Sequence, residues 1–297
     1  MTRLEEGFLL LTSCLGEPKR KPLTTAQFRT LAQRVAGSER TEELRELEER
    51  DLLRLGFGQE MAQRILTLLS EEDLLHRYLH RAEVKDCRVL TRISLEYPQI
   101  LRTRLGLDAP GCLWYRGDPE LLQRDAVSLV GSRELRQENR MFAMEAGVQA
   151  AHQGYVLVSG NARGADSIAQ NSCLNAGGSV ICVVANELEQ QEPSDDILYL
   201  SEDGFDLPFT AARALSRNRV IHCLGKCTLV AQCTYEKGGT WDGNVKNLRN
   251  RWSGVFCFQD GSEAVSALCN MGAGEIPLAK LHNLAALRND EIGLFDQ

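Results

Sequence analysis

The run Tyr155-Val156-Leu157-Val158-Ser159-Gly160-Asn161-Ala162-Arg163-Gly164-Ala165-Asp166 decides how this chain is read. Its four leading apolar or aromatic residues form a buried strand, and the apolar spacing from Ile168-Ala169 to Leu174 and Ala176 forms a helix. Between them lies a turn of small residues. A strand that ends in such a turn and opens a helix gathers backbone N–H groups at the positive end of the helix dipole. That is a place suited to an anion such as phosphate.

The same alternation continues on both sides of this run. Ala126 to Val130 is apolar and leads through Gly131-Ser132-Arg133 into a helix carrying Met141, Phe142, Ala146 and Ala150, which Gly154 ends. Gly177-Gly178 turns into a strand from Val180 to Val184. A loop with Pro193 follows, then one helix from about Thr210 to Leu224. Strand Thr228 to Ala231 precedes the turn Gly238-Gly239-Thr240 and another helix. Strand Val255 to Phe258 and helix Ser262 to Met271 close the unit, which covers residues 126–275. Strands that are apolar throughout and alternate with helices predict an α/β fold, a doubly wound parallel sheet with helices on both faces. Ligands of such sheets sit at the carboxyl ends of the strands, near the switch point, and every turn named here lies at such an end.

Outside that unit the patterns differ. Residues 1–85 are helical by spacing, with Leu9-Leu10-Leu11 in one segment and Thr24 or Thr25 capping a helix through Phe28, Leu31 and Val35. Thr41, Leu44, Leu47 and Leu52 predict another helix. Leu52 to Ile65, with Gly56-Phe57-Gly58 at its turn, resembles a helix-hairpin-helix whose N–H groups meet a DNA phosphate. An ordinary αα-hairpin reads at least as well, because Glu60 stands where a basic residue would help. Residues 86–125 are a connector with turns at Tyr97-Pro98 and Asp108-Ala109-Pro110-Gly111 and a short strand from Cys112 to Arg116. Residues 276–297 form a C-terminal helical tail, with one helix from Leu278 to Leu287.

With 43% apolar and 25% charged residues, the 297-residue chain has the balance of a soluble globular protein. A net charge of −7 excludes a whole-surface basic field, so a nucleic-acid site must be a local basic groove. No apolar run reaches membrane-spanning length, and the acidic start Met1-Thr2-Arg3-Leu4-Glu5-Glu6 is unlike a signal peptide; a cytoplasmic protein is expected. The ten cysteines lack paired CxxC spacing and read as reduced core residues. A metal site from His222, Cys223, Cys227 and Cys233 is disfavoured for the same reason, and neither metal nor cofactor is expected.

Four groups converge on the carboxyl edge: Gly131-Ser132-Arg133; Ser159, Gly160, Arg163, Gly164 and Asp166; Arg213 with Arg217-Asn218-Arg219; and Lys237-Gly238-Gly239-Thr240. Arginine pairs phosphate oxygens bidentately, and glycine lets the backbone approach. Together they fit an extended, phosphate-bearing ligand, and Phe209 would stack on a base. Asp166 reads equally well as a cap on the helix it opens. Of Arg217 and Arg219 one is structural, since side chains two apart face different ways on a helix.

Over residues 97–275 the chain resembles the DprA/Smf DNA-processing proteins. The likeness rests on Tyr97-Pro98-x-x-Leu101, Pro110-x-x-Leu113 with Gly117, Val130-Gly131-Ser132-Arg133, Ser159-Gly160-x-Ala162-Arg163-Gly164-x-Asp166, Ser201-Glu202 and Arg217-Asn218-Arg219-Val220-Ile221. It implies a Rossmann-like domain behind a small helical domain that is sterile-alpha-motif-like or helix-hairpin-helix-like. It further implies a homodimer that binds single-stranded DNA, protects it and loads RecA recombinase onto it in natural transformation, without being an enzyme. By motif, Arg133, the 159–166 turn, Arg217 and the Lys237 turn would hold phosphates. The chain departs from the family at Asn186-Glu187-Leu188-Glu189, at Glu192-Pro193, in the wide spacing from Phe209 to Arg217, at Gly238-Gly239-Thr240-Trp241-Asp242-Gly243, and at Gln259-Asp260-Gly261. It also lacks the C-terminal winged helix of many members. The rival readings are a nucleotide-sensing module and a LOG-type nucleotide phosphoribohydrolase; for the latter the required glycine spacing and glutamate after Gly238-Gly239-Thr240 are missing.

Overall fold

A computed structural model describes residues 1–37 and 47–287. Thr41 and Leu44, assigned above to a helix, lie outside the described residues, as does the tail from residue 288. The chain divides into two compact units.

The first unit comprises residues 1–97, 110–114 and 202–205. It holds α1 (Arg3–Thr12), α2 (Thr25–Ala36), α3 (Glu49–Arg54), α4 (Gln59–Leu69), α5 (Glu72–Val84) and β1 (Arg88–Thr91). Thr24 caps α2 as its position predicts, with its hydroxyl taking the N–H of Gln27 and the Gln27 side chain returning to the Thr24 N–H. Leu31, Leu52, Ala62, Ile65 and Leu68 pack into one core. α3 and α4 are joined through Gly56, whose φ of +82° only glycine adopts at little cost. A second cluster is aromatic: Tyr78, Trp114 and Phe205 meet with centroids 4.9–5.4 Å apart. Residues 86–97 and 110–114 of the expected connector belong to this unit.

The second unit comprises residues 98–109, 115–201 and 206–297. It begins with α6 (Gln99–Leu105), and β2 (Cys112–Arg116) runs into it. Then come β3 (Ala126–Val130), α7 (Gln137–His152), β4 (Val156–Ser159), α8 (Ala165–Asn175), β5 (Val180–Val183), β6 (Ile197–Ser201), α9 (Ala211–Ser216), α10 (Asn218–Leu224), β7 (Cys227–Val230), α11 (Gly238–Asn250), β8 (Gly254–Phe258), α12 (Glu263–Asn270) and β9 (Gly274–Ile276). Seven of these strands form a parallel sheet in the order β6-β5-β4-β3-β7-β8-β9. The chain winds outward from β3 through β6, returns to the other side of β3, and winds outward again. The switch point therefore lies between β3 and β7, the place where such sheets hold ligands. β3, β4, β5 and β7 are buried along their whole length, which is why they read as unbroken apolar runs. Small residues let α7 and α8 approach closely: a Cβ on Gly147 would strike the Ala169 carbonyl.

Three expectations are corrected. The loop after Pro193 contains a strand, β6, whose Ile-Leu-Tyr-Leu-Ser pairs with β5. The single helix from Thr210 to Leu224 is two, divided at Arg217, whose carbonyl accepts the N–H of Val220 three residues on. The tail helix from Leu278 is a 3₁₀ stretch, Leu278–Ala286, broken at Asn283, where φ is −142°. Gly274–Ile276 just before it is the last strand.

Candidate functional site

The end of β3 is held from both sides. A Cβ on Gly131 would meet the methyls of Ala165 and Ala231, so the start of α8 and the end of β7 close in on it. Ser132 ties the two flanks together. Its N–H and its hydroxyl donate to the Gln232 carbonyl at 2.9 and 3.2 Å, and its own carbonyl accepts the Ala165 N–H at 3.1 Å. Gly164, with φ +90°, allows that approach, since any Cβ there would collide with the carbonyls of Ser132 and Arg133. Arg133 is exposed, and its guanidinium has neither hydrogen bond nor ion pair among the described residues.

The turn after β4 is closed by its own carboxylate. Asp166 accepts the N–H groups of Gly160 at 3.1 Å and Ala162 at 3.2 Å. Burial pushes its pKa up to about 6, against the opposing pull of Arg217, the two N–H donors and Arg133. With the Ala165 N–H also taken by Ser132, three donors of the expected phosphate cup are engaged internally. Asp166 builds the turn rather than facing a ligand from it. Ser159 is likewise set back: it is fully buried and its hydroxyl accepts from Gln170 at 2.5 Å. Arg163 stands exposed at the tip, with no hydrogen bond or ion pair among the described residues.

The third group separates into different roles. Arg213 is drawn inward, donating to the carbonyls of Ala185 (2.8 Å), Leu207 (2.7 Å) and Pro208 (2.9 Å) and to the Ser201 hydroxyl (2.8 Å). It pins the loop that presents Phe209, which is 55% exposed. Arg217 is half-buried; it donates to the Val183 carbonyl, and its guanidinium fills the space a Cβ on Gly160 would need. Arg219 points elsewhere, into a cavity of about 190 Å³ shared with Asp242, Lys246 and Trp252. The two arginines diverge as their spacing predicts. Asn218 donates to the Gly239 carbonyl at 3.1 Å.

On the β7 side, Lys237 is exposed and precedes α11, Gly238 has φ +80°, and the Thr240 hydroxyl donates to the Gly131 carbonyl at 3.1 Å. The edge thus carries exposed Arg133, Arg163, Lys237 and Phe209 above a floor made by Gly131, Ser132, Gly160, Gly164, Asp166, Asn218, Gly239 and Thr240.

Several supporting residues gave no motif signal. The Gln232 side chain bridges the Arg136 N–H (3.0 Å) and the Glu134 carbonyl (3.3 Å), fixing the loop that bears Arg133. Behind it the Asp260 carboxylate accepts from Asn139 (2.7 Å), the Ser262 N–H (2.9 Å) and Arg136 (2.5 Å). Burial would raise its pKa, but these hydrogen bonds outweigh burial and hold it below the usual range. His222 lies buried with Thr228 (3.1 Å) and Asn247 (3.2 Å) at its Nδ1, and burial lowers its pKa to about 3. Cys223, Cys227 and Cys233 are buried, with thiol pKa values pushed up to about 12 by burial. Among the described residues no helix is long and apolar enough to cross a membrane.

The family model for DNA recombination-mediator protein A matches residues 88–247. The DNA processing protein DprA of Streptococcus pneumoniae is 32% identical over 141 residues, which is 44% of this chain and 50% of that protein. Protein Smf of Escherichia coli is 30% identical over 152 residues, 48% of this chain and 40% of that protein. The chain thus spans about half the length of the curated relatives it matches. The crystal structure of the Streptococcus pneumoniae protein superposes with a TM-score of 0.67 at 22% identity, covering 90% of this chain and 99% of that one. A structure of DNA processing protein A from Helicobacter pylori, which addresses its single-stranded DNA binding mode, gives 0.55 at 22% identity over 66% of this chain and 93% of that one.

Proposed function

Because the chain belongs to the DNA recombination-mediator protein A family, we propose that it binds single-stranded DNA along the carboxyl edge of its parallel sheet. One observation carries this reading. Arg133 and Arg163 are exposed, lack protein partners among the described residues, and stand at the ends of the adjacent strands β3 and β4. Lys237 follows at the end of β7, the neighbour of β3 on its other side. Exposed cations held on a rigid floor, with no hydrogen bond or ion pair to the protein among the described residues, suit successive phosphates of a strand. In a chain of net charge −7 they form a local track.

The roles divide accordingly. Arg133, Arg163 and Lys237 meet phosphates. Arg217, behind Gly160, adds positive charge from below. Phe209, on the loop that Arg213 pins, stacks on a base. Asp166, Ser132 and the glycines shape the floor. Two relatives point the same way: one is a DNA processing protein, and the other has a single-stranded DNA binding mode. Protection of the strand, loading of RecA recombinase, a homodimeric state, a cytoplasmic setting and the lack of a catalytic step complete the proposal.

A mobility-shift titration with oligo-dT tests it. Binding is expected at low salt, with log affinity falling linearly in log salt by about 0.7 per phosphate contact. An unshifted oligo-dT at low salt, together with release of base from a nucleoside monophosphate, would replace this reading with the phosphoribohydrolase one.

A further inference from the structure

A second exposed aromatic stands on the same edge. Tyr235 occupies the four-residue turn Thr234-Tyr235-Glu236-Lys237, closed by the Lys237 N–H on the Thr234 carbonyl at 3.1 Å, with Glu236 at φ +53°. The turn continues from Gln232, whose carbonyl and side chain are tied to the end of β3. Tyr235 is 36% exposed, yet its ring is not loose. It rests edge-on against Trp241, with centroids 5.0 Å apart and planes at 74°, and Trp241 is itself buried. A ring propped in this way has already lost the rotamer freedom that stacking would cost it.

We propose that Tyr235 is a second base-stacking platform, opposite Phe209 across the arginines. The proposal rests on the single-stranded DNA reading of this edge. Phe209 is anchored by Arg213 to the end of β5 at Ala185, whereas Tyr235 follows β7. From β5 through β4 and β3 to β7 is three strand spacings, about 15 Å. A strand whose phosphates rest on Arg163 and Arg133 therefore meets an aromatic face at each end of the track. The local charges assign base and phosphate at the Tyr235 end. The Glu236 carboxylate acts on the neighbouring Tyr235 phenol by its charge, and it repels a phosphate there. Lys237, one residue further on, attracts it. The base is left to the ring.

The test uses the full chain and two probes of equal length, oligo-dT and an oligomer of abasic sugar-phosphate units. Tyr235→Ala should bind oligo-dT about tenfold more weakly, the scale of one lost base–aromatic stack. Its affinity for the abasic probe should stay that of the parent. Tyr235→Phe should restore oligo-dT binding. Tyr235→Trp should bind, and its indole fluorescence should be quenched by oligo-dT and not by the abasic probe. If the parent binds oligo-dT with a steep salt dependence but Tyr235→Ala binds it equally well, the second platform is wrong and the DNA edge stands. If the parent binds neither probe, both fall. A loss of the abasic probe by Tyr235→Ala would make Tyr235 a support of the loop and would also overturn the proposal.

Discussion

The guanidinium of Arg217 occupies the space that a Cβ on Gly160 would need, and from there it reaches the Val183 carbonyl at the end of β5. Glycine at position 160 is therefore a condition for placing this cation under the β4 turn. Gly160→Ala should displace Arg217 while leaving the fold intact. Affinity for oligo-dT should fall about ten- to a hundredfold, the scale of one charged hydrogen bond. Equilibrium binding and a thermal melt check both halves of this expectation.

Arg133 and Arg163 should behave alike, because neither has a protein partner to leave stranded. Arg133→Ala and Arg163→Ala should each weaken binding to all base sequences equally. Each should also lower the slope of log affinity against log salt by about 0.7. Binding isotherms of oligo-dT and a mixed-sequence oligomer at four salt concentrations give that slope. An unchanged slope in either variant removes that arginine from the phosphate track.

Asp166 makes the site sensitive to pH. Its carboxyl is held up at about 6 by burial, so it is charged at neutral pH and loses its charge as pH falls through 6. A negative charge beneath a phosphate track opposes binding. Affinity for oligo-dT should therefore rise several-fold from pH 7.5 to pH 5. In Asp166→Asn, whose amide oxygen can still accept the Gly160 and Ala162 N–H groups, affinity should be flat over that range.

His222 governs acid stability. Its folded pKa of about 3 lies below the ordinary 6.5, so the unfolded chain binds the extra proton. The folded state is fully favoured above pH 6.5 and loses stability as pH falls toward 3, with a slope approaching about 1.4 kcal/mol per pH unit. Asp166 acts in the opposite sense between 3.8 and 6, because its folded pKa is raised. Denaturant unfolding of His222→Gln should show a clearly shallower acid limb than the parent, and Asp166→Asn a steeper one.

Much of this arrangement was legible in the residues. Fully buried parallel strands must be apolar on both faces, so β3, β4, β5, β7 and β8 announced themselves. β6 did not, since Ile197 and Tyr199 are only half-buried and break the apolar burial of the run. The glycines and arginines of the edge were visible as types, but their directions were not. Arg213, in the first turn of α9, and Arg133, in the loop after β3, are the same side chain. The carbonyls of Ala185, Leu207 and Pro208 and the Ser201 hydroxyl turn the first inward. Asp166 offered a ligand and a cap with equal force until the Gly160 and Ala162 N–H groups were placed on it. Tyr235 carried no signal at all, because a lone tyrosine in a loop becomes a platform only when Trp241 lies beneath it. The first unit recruits residues 110–114 and 202–205 from far along the chain, and no local pattern specifies that.

The Ser132 N–H to Gln232 carbonyl hydrogen bond joins backbone groups one hundred positions apart and extends the β3–β7 seam between the two halves of the sheet. During synthesis, β3 to β6 and the β4 turn emerge long before Gln232 does. A nascent chain at that stage has Arg133 and Arg163 but no wall for them to stand against. On the proposed reading, competence to hold DNA is thus a late event in folding, gained only when β7 closes on β3. A chain ended anywhere between β6 and β7 should keep α7 and α8 and lose its grip.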